Sequence, residues 1–415
     1  MDILKIATAG SVDDGKSTLI GRLLFDTKSI TRDRLEAVEA SSKRKGLDFT
    51  DLSLLTDGLI AEREQGITID VAHIYFATAN RKYIIADTPG HIEYTRNMIT
   101  GASNAEASIV LIDARNGVIE QTRRHLFISS LLRLETVFVC VNKMDLVSFD
   151  ASVFEGIRKE VEALAQKIGY EGKLHFVPIA AKDGDNVVTP STRMNWYTGG
   201  TLLDHLESLP VHVKDETLPA RYPVQFVIRP HSDEHHDFRG YAGRLVSGQL
   251  RQGEEIVVLP SLKKTRIRKI YAADREIALA HAGDSISLEL EEDIDISRGN
   301  MIVPADSFHV QASNFTATLN WMDEQPLTAG KTYLLQHGVQ VTKARITTMQ
   351  SRLDMETMEQ AAVQQFHLND IGHVIIKTAK PIFADLYRDN PRNGSFILID
   401  EFTNNTVAVG FIESF

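Results

Sequence analysis

Eight residues, Gly10 to Ser17, read G-S-V-D-D-G-K-S and match the spacing G-x-x-x-x-G-K-[ST]. Glycines at Gly10 and Gly15 let the backbone fold tightly, so the N–H groups of Ser11, Val12, Asp13 and Asp14 can point at phosphate oxygens. An apolar run, Ile3 to Ala9, leads into this loop, and a helix-like stretch, Lys16 to Phe25, leaves it. The helix start, with Lys16, Ser17 and Thr18, adds its positive dipole end. Lys16 can reach the outer phosphates of a bound nucleotide, which makes it a catalytic candidate as well as a binding one. The Ser17 hydroxyl can ligate the Mg²⁺ ion that accompanies them. The chemistry implied is nucleoside triphosphate binding.

Two further segments narrow it. Asn142-Lys143-Met144-Asp145 follows the apolar run Val137 to Val141. A carboxylate at Asp145 can accept from both the ring N–H and the exocyclic amine of guanine, whereas adenine offers neither donor and would leave it unpaired. Asn142 can bond the other edge of the base or tie its loop to the phosphate loop, and the Lys143 stem can lie over the ring. Asp87-Thr88-Pro89-Gly90-His91 follows the run Lys82 to Ala86. Asp87 can hold Mg²⁺ through water, and the Gly90 N–H can report a γ-phosphate. Upstream, Thr68 in G-I-T-I-D offers a second hydroxyl to the metal, so the metal set is Ser17, Thr68 and Asp87. Loops ordered by a γ-phosphate and its ion, then released on hydrolysis, make a switch. His91 stands where a group is needed to orient the attacking water, and imidazole titrates in the right range. Val12 and Ile67 could gate that water or could simply pack.

These motifs require a scaffold that brings strand ends together. From Ile3 to about Pro210, strand-like runs (3–9, 83–87, 109–113, 137–141 and 174–179) alternate with helical stretches. The pattern predicts an α/β domain, a doubly wound and mostly parallel sheet, with the nucleotide at the carboxyl ends of the strands. Residues 27–64 form a long charged insertion with helix-like spacing over 32–43, read as the first switch. Beyond Pro210 short alternating runs separated by glycine and polar turns predict two small β-barrels. The expected division is 1–212, 213–306 and 307–415.

At 415 residues the chain has room for two to three domains. Its single cysteine, Cys140, lies inside an apolar run, which excludes an internal disulfide and fits a reducing, cytoplasmic setting. There is neither a bilayer-length apolar run nor a charged-then-apolar leader pattern, so no membrane association is expected. A net charge of −11 weighs against broad nucleic-acid binding. The basic stretch Lys263, Lys264, Arg266, Arg268 and Lys269 alternates like a strand with a solvated face. His231, His235 and His236, among Asp233, Glu234 and Asp237, read as a polar loop rather than a zinc site.

The set G-S-V-D-D-G-K-S, E-R-E-Q-G-I-T-I-D, D-T-P-G-H and N-K-M-D resembles the translation-factor superfamily of GTPases. Longer strings, including D-F-T-D-L-S-L-L-T-D-G-L-I-A from Asp48 and E-D-I-D-I-S-R-G-N-M-I-V from Glu292, resemble the GTPase subunits of sulfate adenylyltransferases across essentially the whole chain. The resemblance implies a G domain followed by two barrels. It also implies the family's fifth motif, a further guanine-loop element, at Ala180-Ala181-Lys182, in which an alanine stands where the family usually has serine. As function it implies GTP hydrolysis coupled to ATP + sulfate → adenosine 5′-phosphosulfate + pyrophosphate, with the adenylyltransferase active site on a separate catalytic partner subunit in a heterodimer or larger assembly. No second phosphate loop is present, so a fused adenylylsulfate kinase is not expected. The same fold would serve the alternative, a translation elongation factor that delivers aminoacyl-tRNA.

Overall fold

The structure, a computed structural model, describes residues 2–44, 50–55, 71–89, 95–210, 216–229, 238–273, 275–307 and 310–415. Two compact units divide the chain, Met1–Val211 with Met355–Met358, and His212–Asp354 with Glu359–Phe415.

The first unit is built on a six-stranded sheet of β1 (Ile3–Ala9), β2 (Ala72–Ala77), β3 (Lys82–Asp87), β4 (Ala107–Asp113), β5 (Thr136–Asn142) and β6 (Lys173–Pro178). Their order is β2-β3-β1-β4-β5-β6. All neighbours are parallel except the edge strand β2, which runs antiparallel to β3. Every residue of β4 and β5 is buried. That is why those runs read as continuously apolar, since a parallel strand covered on both faces has no polar side to show. Connecting segments include helices α1 (Lys16–Asp26), α2 (Arg32–Arg44), α3 (Thr95–Ala102), α4 (Glu120–Leu131), α5 (Ala151–Lys167) and α6 (Leu202–Ser208). Asp150 caps α5 by accepting the Ser152 N–H at 2.8 Å, and Thr201 with Asp204 forms a reciprocal box at the start of α6. Leu19, Ile20 and Leu23 of α1 join Ile6, Ile85, Ile109, Leu111, Phe138 and Cys140 in the core.

Because β1, β3, β4 and β5 are parallel and in register, their carboxyl ends fall on one edge. Gly10, Asp87, Asp113 and Asn142 stand there together. The insertion between α1 and β2 carries the helix expected of it, α2, and a 3-10 turn, Leu52–Leu55. β2 was not anticipated. Its residues alternate between more buried and exposed, from Phe76 at 5% to Tyr75 at 68% exposed, which is the pattern of an edge strand and not the continuous burial of an interior one.

The second unit holds two closed six-stranded rings. The first runs 255–259, 301–304, 222–228, 240–244, 285–290 and 263–272, and closes by pairing Glu255 with Arg266. The second runs 332–337, 395–399, 406–414, 312–321, 371–382 and 340–353, and closes by pairing Thr332 with Arg345. Six strands enclose too little space for a ligand, and side chains fill both interiors. Tyr222, Ile256, Ile267 and Leu288 pack the first, and Phe315, Leu319, Trp321 and Val374 the second. A smaller cluster joins them, with Val257, Leu259, Met301 and Val303 against Phe383. Among the described residues no helix is long and apolar enough to cross a membrane.

Candidate nucleotide site

The phosphate loop is made by close approaches at its two glycines, and at Gly15 only glycine fits. Gly15 has φ +92°, and a Cβ there would lie 2.5 Å from Asn142 Nδ2. At Gly10 a Cβ would meet Leu111 Cβ at 3.2 Å, under the first turn of the loop. The Asp14 carboxylate accepts the Ser11 N–H at 2.6 Å, and the Asp14 N–H returns to the Ser11 carbonyl at 3.2 Å. Asp13 is left-handed at φ 68°. The loop is therefore already folded. Val12 and Asp13 are exposed at its rim, and Ser17 and Thr18 lie half-buried in the first turn of α1.

Lys16 and Asp87 meet at the base of the loop. The Lys16 Nζ stands 3.0 Å from Asp87 Oδ1, with both side chains at or below 7% exposure. Asp87 also accepts from Thr8 Oγ1 at 3.1 Å. Thr88 is fully buried and donates its hydroxyl to the Thr8 carbonyl, which fixes the turn out of β3, and Pro89 beside it is buried too. Thr68, Gly90 and His91, and with them Ile67, lie outside the described residues. So do His231, His235 and His236.

On the base side, Asn142 bridges both neighbouring loops. Its Nδ2 donates to the Asp14 carbonyl at 2.7 Å, and its Oδ1 accepts the Ala181 N–H at 3.0 Å. Of the two roles open to Asn142, its side chain takes the tie. Lys143 is left-handed (φ 63°) and sends its Nζ to the Asp13 carbonyl and to Asp113 Oδ2, the latter at 3.0 Å. Met144 is buried, and its N–H bonds the Ile179 carbonyl, which brings β5 and the turn after β6 together. Asp145 is half-buried in the 3-10 turn Met144–Val147, and its carboxylate accepts no hydrogen bond from the described residues. Ala180 and Ala181 are buried and Lys182 is exposed. The phosphate, Asn142 and Ala181 segments thus form one connected surface.

Sequence reading missed two members of this surface. Asp113, at the end of β4, receives Arg115 Nη2 at 2.6 Å as well as Lys143. Burial pushes its carboxyl up, but hydrogen bonds from the Arg115 side chain and backbone and from Lys143 outweigh that and hold it at about 2. Its signal was available, since a carboxylate at the end of an apolar strand shares the edge of Asp87 and Asn142. Arg22, in α1, donates to the carbonyls of Ala181 and Lys182, and nothing in its sequence surroundings announces that.

The basic stretch from Lys263 is largely neutralised. Lys264 and Arg266 face Glu255, Arg268 faces Glu289 at 3.0 Å, and Lys269 faces Glu276 at 3.0 Å. It forms a solvated strand face, as its alternation suggested, and one whose charges are ion-paired.

Residues 1–212 match the family model described as the elongation factor Tu GTP binding domain, and residues 314–413 match a GTP-eEF1A C-terminal domain-like model. The chain is 49% identical over 413 residues to sulfate adenylyltransferase subunit 1 of Bacteroides fragilis (strain YCH46), covering 99% of this chain and 86% of that protein. It is 47% identical over 413 residues to the protein of the same name in Saccharophagus degradans, covering 87% of it. It is also 49% identical over 412 residues to the bifunctional enzyme CysN/CysC of Mycobacterium tuberculosis (strain ATCC 25618 / H37Rv), and spans 67% of that protein's length.

Proposed function

Because the chain belongs to the family of sulfate adenylyltransferase subunit 1, built on the elongation factor Tu type of GTP-binding domain, we propose that it hydrolyses GTP to drive sulfate activation on a partner subunit. It is the GTPase subunit of this enzyme. The reading goes further in coupling GTP hydrolysis to ATP + sulfate → adenosine 5′-phosphosulfate + pyrophosphate, an adenylyl transfer that is uphill alone. The adenylyl-transfer site would sit on a catalytic subunit, sulfate adenylyltransferase subunit 2, bound in a heteromeric, cytoplasmic complex. The working division of the chain is a G domain at 1–212 and barrels at 213–306 and 307–415.

The nucleotide half of this reading is supported by the Asn142 side chain, which ties the segment assigned to phosphate to the segment assigned to the base; the sulfate half rests on the family. The loop N–H groups from Gly10 to Thr18 cradle the phosphates. A triphosphate is a stronger partner for Lys16 than one carboxylate, so binding exchanges the Lys16–Asp87 pair for contacts to phosphate and leaves Asp87 open. Ser17, Thr68 and Asp87 are all oxygen donors, the set a hard divalent cation takes, and they would hold Mg²⁺, which supplies charge neutralisation at the phosphates. The open Asp145 carboxylate reads the guanine N–H edge, and the backbone of Ala180-Ala181-Lys182 meets the base carbonyl. The turn of Asp87, Thr88, Pro89 and Gly90 reports the γ-phosphate, and His91 orients the attacking water. With no arginine assigned to the transition state, intrinsic turnover is slow.

The test is GTP turnover by the purified chain with and without the catalytic subunit, ATP and sulfate. A rise on adding all three is expected. Equal rates, or GTP-dependent capture of aminoacyl-tRNA in place of sulfate-dependent pyrophosphate release, would overturn the reading.

A further inference from the structure

Ala180 and Ala181 have no polar side-chain atoms, so the loop they form must be held by its backbone and by its neighbours. Asn142 holds one side, through the Ala181 N–H. The other side is held from α1. Arg22 Nε donates to the Ala181 carbonyl at 3.2 Å, and Nη2 donates to the Lys182 carbonyl. The third arm of the guanidinium, Nη1, lies 3.4 Å from Asp26 Oδ1, one helical turn on. The Phe25 ring packs 5.6 Å from the guanidinium carbon. Arg22 and Asp26 are 17% and 18% exposed, so the fork is mostly shielded and its direction is set by its own helix.

A peptide unit is planar, so pinning its carbonyl fixes its N–H as well. Arg22 holds the carbonyl of the Ala181–Lys182 peptide and thereby the direction of the Lys182 N–H. It also holds the carbonyl of the next peptide. We infer that Arg22 is a positioning residue for guanine recognition, a brace reaching from the phosphate-loop helix to the segment that meets the base carbonyl. The inference rests on assigning residues 180–182 to the base. It gives α1 two tasks, Lys16 and Ser17 at its start for phosphate and Arg22 two turns later for the base. It also links base occupancy to the groove between α1 and residues 183–189, which is lined by Arg22, Phe25, Asp26 and Val188 and leads on to Ile30 and Leu35 at the start of the insertion.

The experiment measures displacement of a fluorescent GDP from the full chain by GDP, by 6-thio-GDP and by inosine diphosphate. The sulfur analogue chiefly weakens the acceptor at position 6, whereas inosine deletes the 2-amino group. For Arg22→Ala, GDP should bind about tenfold more weakly, the size expected for losing a charged hydrogen-bond donor at a partly shielded site. The penalty for sulfur should shrink by a similar factor, and the penalty for inosine should stay at the wild-type value. A general loss of structure would weaken all three ligands alike. Retention of the full sulfur penalty in Arg22→Ala overturns the role of Arg22. If the wild-type protein itself shows no sulfur penalty, the assignment of residues 180–182 fails beneath it. Should Arg22→Ala not fold, Arg22→Lys carries the same comparison, keeping the charge and losing the fork.

Discussion

Asp14 and Asp113 lie in one cluster, yet their surroundings drive their carboxyl groups in opposite directions. Arg115 and Lys143 keep Asp113 ionised. Asp14 is 3% exposed, and burial together with the nearby Asp113 charge pushes its carboxyl up to about 6 despite the Ser11 N–H. The folded value exceeds the ordinary value of 3.8, so the ionised form opposes folding above pH 6 and that opposition is relieved as pH falls from about 6 toward 4. A difference of about two units corresponds to about 3 kcal/mol at neutral pH. Asn at this position is neutral and keeps an oxygen for the Ser11 N–H. Nucleotide-free Asp14→Asn should therefore melt several degrees above wild type at pH 7 to 8, by the usual scaling for a domain of about 200 residues. The gap should close on titration to pH 4, and a gap that does not change with pH would rule out burial of Asp14 as its source.

At the scale of elements, α1 contains a glycine that its own helix does not want. A glycine in a helix interior costs about 1 kcal/mol relative to alanine. Gly21 is kept by packing, because a Cβ there would stand 2.1 Å from the Leu52 carbonyl oxygen and 2.8 Å from its carbon. The 3-10 turn Leu52–Leu55 rests backbone-on to α1, with Leu52 and Leu55 buried in the core beside Leu24 and Val38. Gly21→Ala gains helix propensity but must push that turn away, and overpacking of this kind costs about 1–3 kcal/mol. The expected result is a lower melting temperature with faster proteolytic cutting in the insertion. A variant as stable and as resistant as wild type would show that the turn does not depend on this seat. The same contact marks where sequence reading stops. The loop Gly10–Ser17, the four residues from Asn142 and the helix-like spacing over 32–43 are legible because their signals are local: spacing, strand ends and periodicity. The Gly21–Leu52 seat, the Arg22 fork and the choice between two roles for Asn142 are not, because each joins segments far apart in the chain. The strand 72–77 differs in kind, since as an edge strand half open to water it lacks the continuous burial of β4 and β5.

Across the molecule, alternation in the second half of the chain was enough to expect two barrels but not to close them. Closure depends on pairings such as Glu255 with Arg266 and Thr332 with Arg345, which no local pattern states. Nor does the sequence disclose what joins the rings within the second unit. Arg221, in the first, sets Nη2 2.8 Å from Asp385 Oδ1 in the second, and its Nη1 reaches Ser307 Oγ at 2.8 Å. Asn390 and Asn393 donate to the other Asp385 oxygen at 3.0 and 2.9 Å, and Asn390 also bonds Ser247 Oγ. With Arg221 4% exposed and Asp385 17%, water has little access to replace a lost partner, so removing Arg221 leaves the Asp385 charge with only the two amide donors. Breaking a buried pair this way costs about 3–5 kcal/mol, against about 0–1 kcal/mol for exposed pairs such as Lys264 with Glu255. Arg221→Ala should therefore lower the calorimetric transition of the barrel unit by about ten degrees, while Lys264→Ala should leave it almost unmoved. Replacing both members by apolar residues of similar size, Arg221→Met with Asp385→Leu, should recover part of the loss, because no charge is then left buried alone and Asn390 and Asn393 keep Ser247 Oγ and the Phe383 carbonyl as acceptors. If Arg221→Ala melts within about a degree of wild type, the apolar contact around Phe383 holds the rings together without the ion pair.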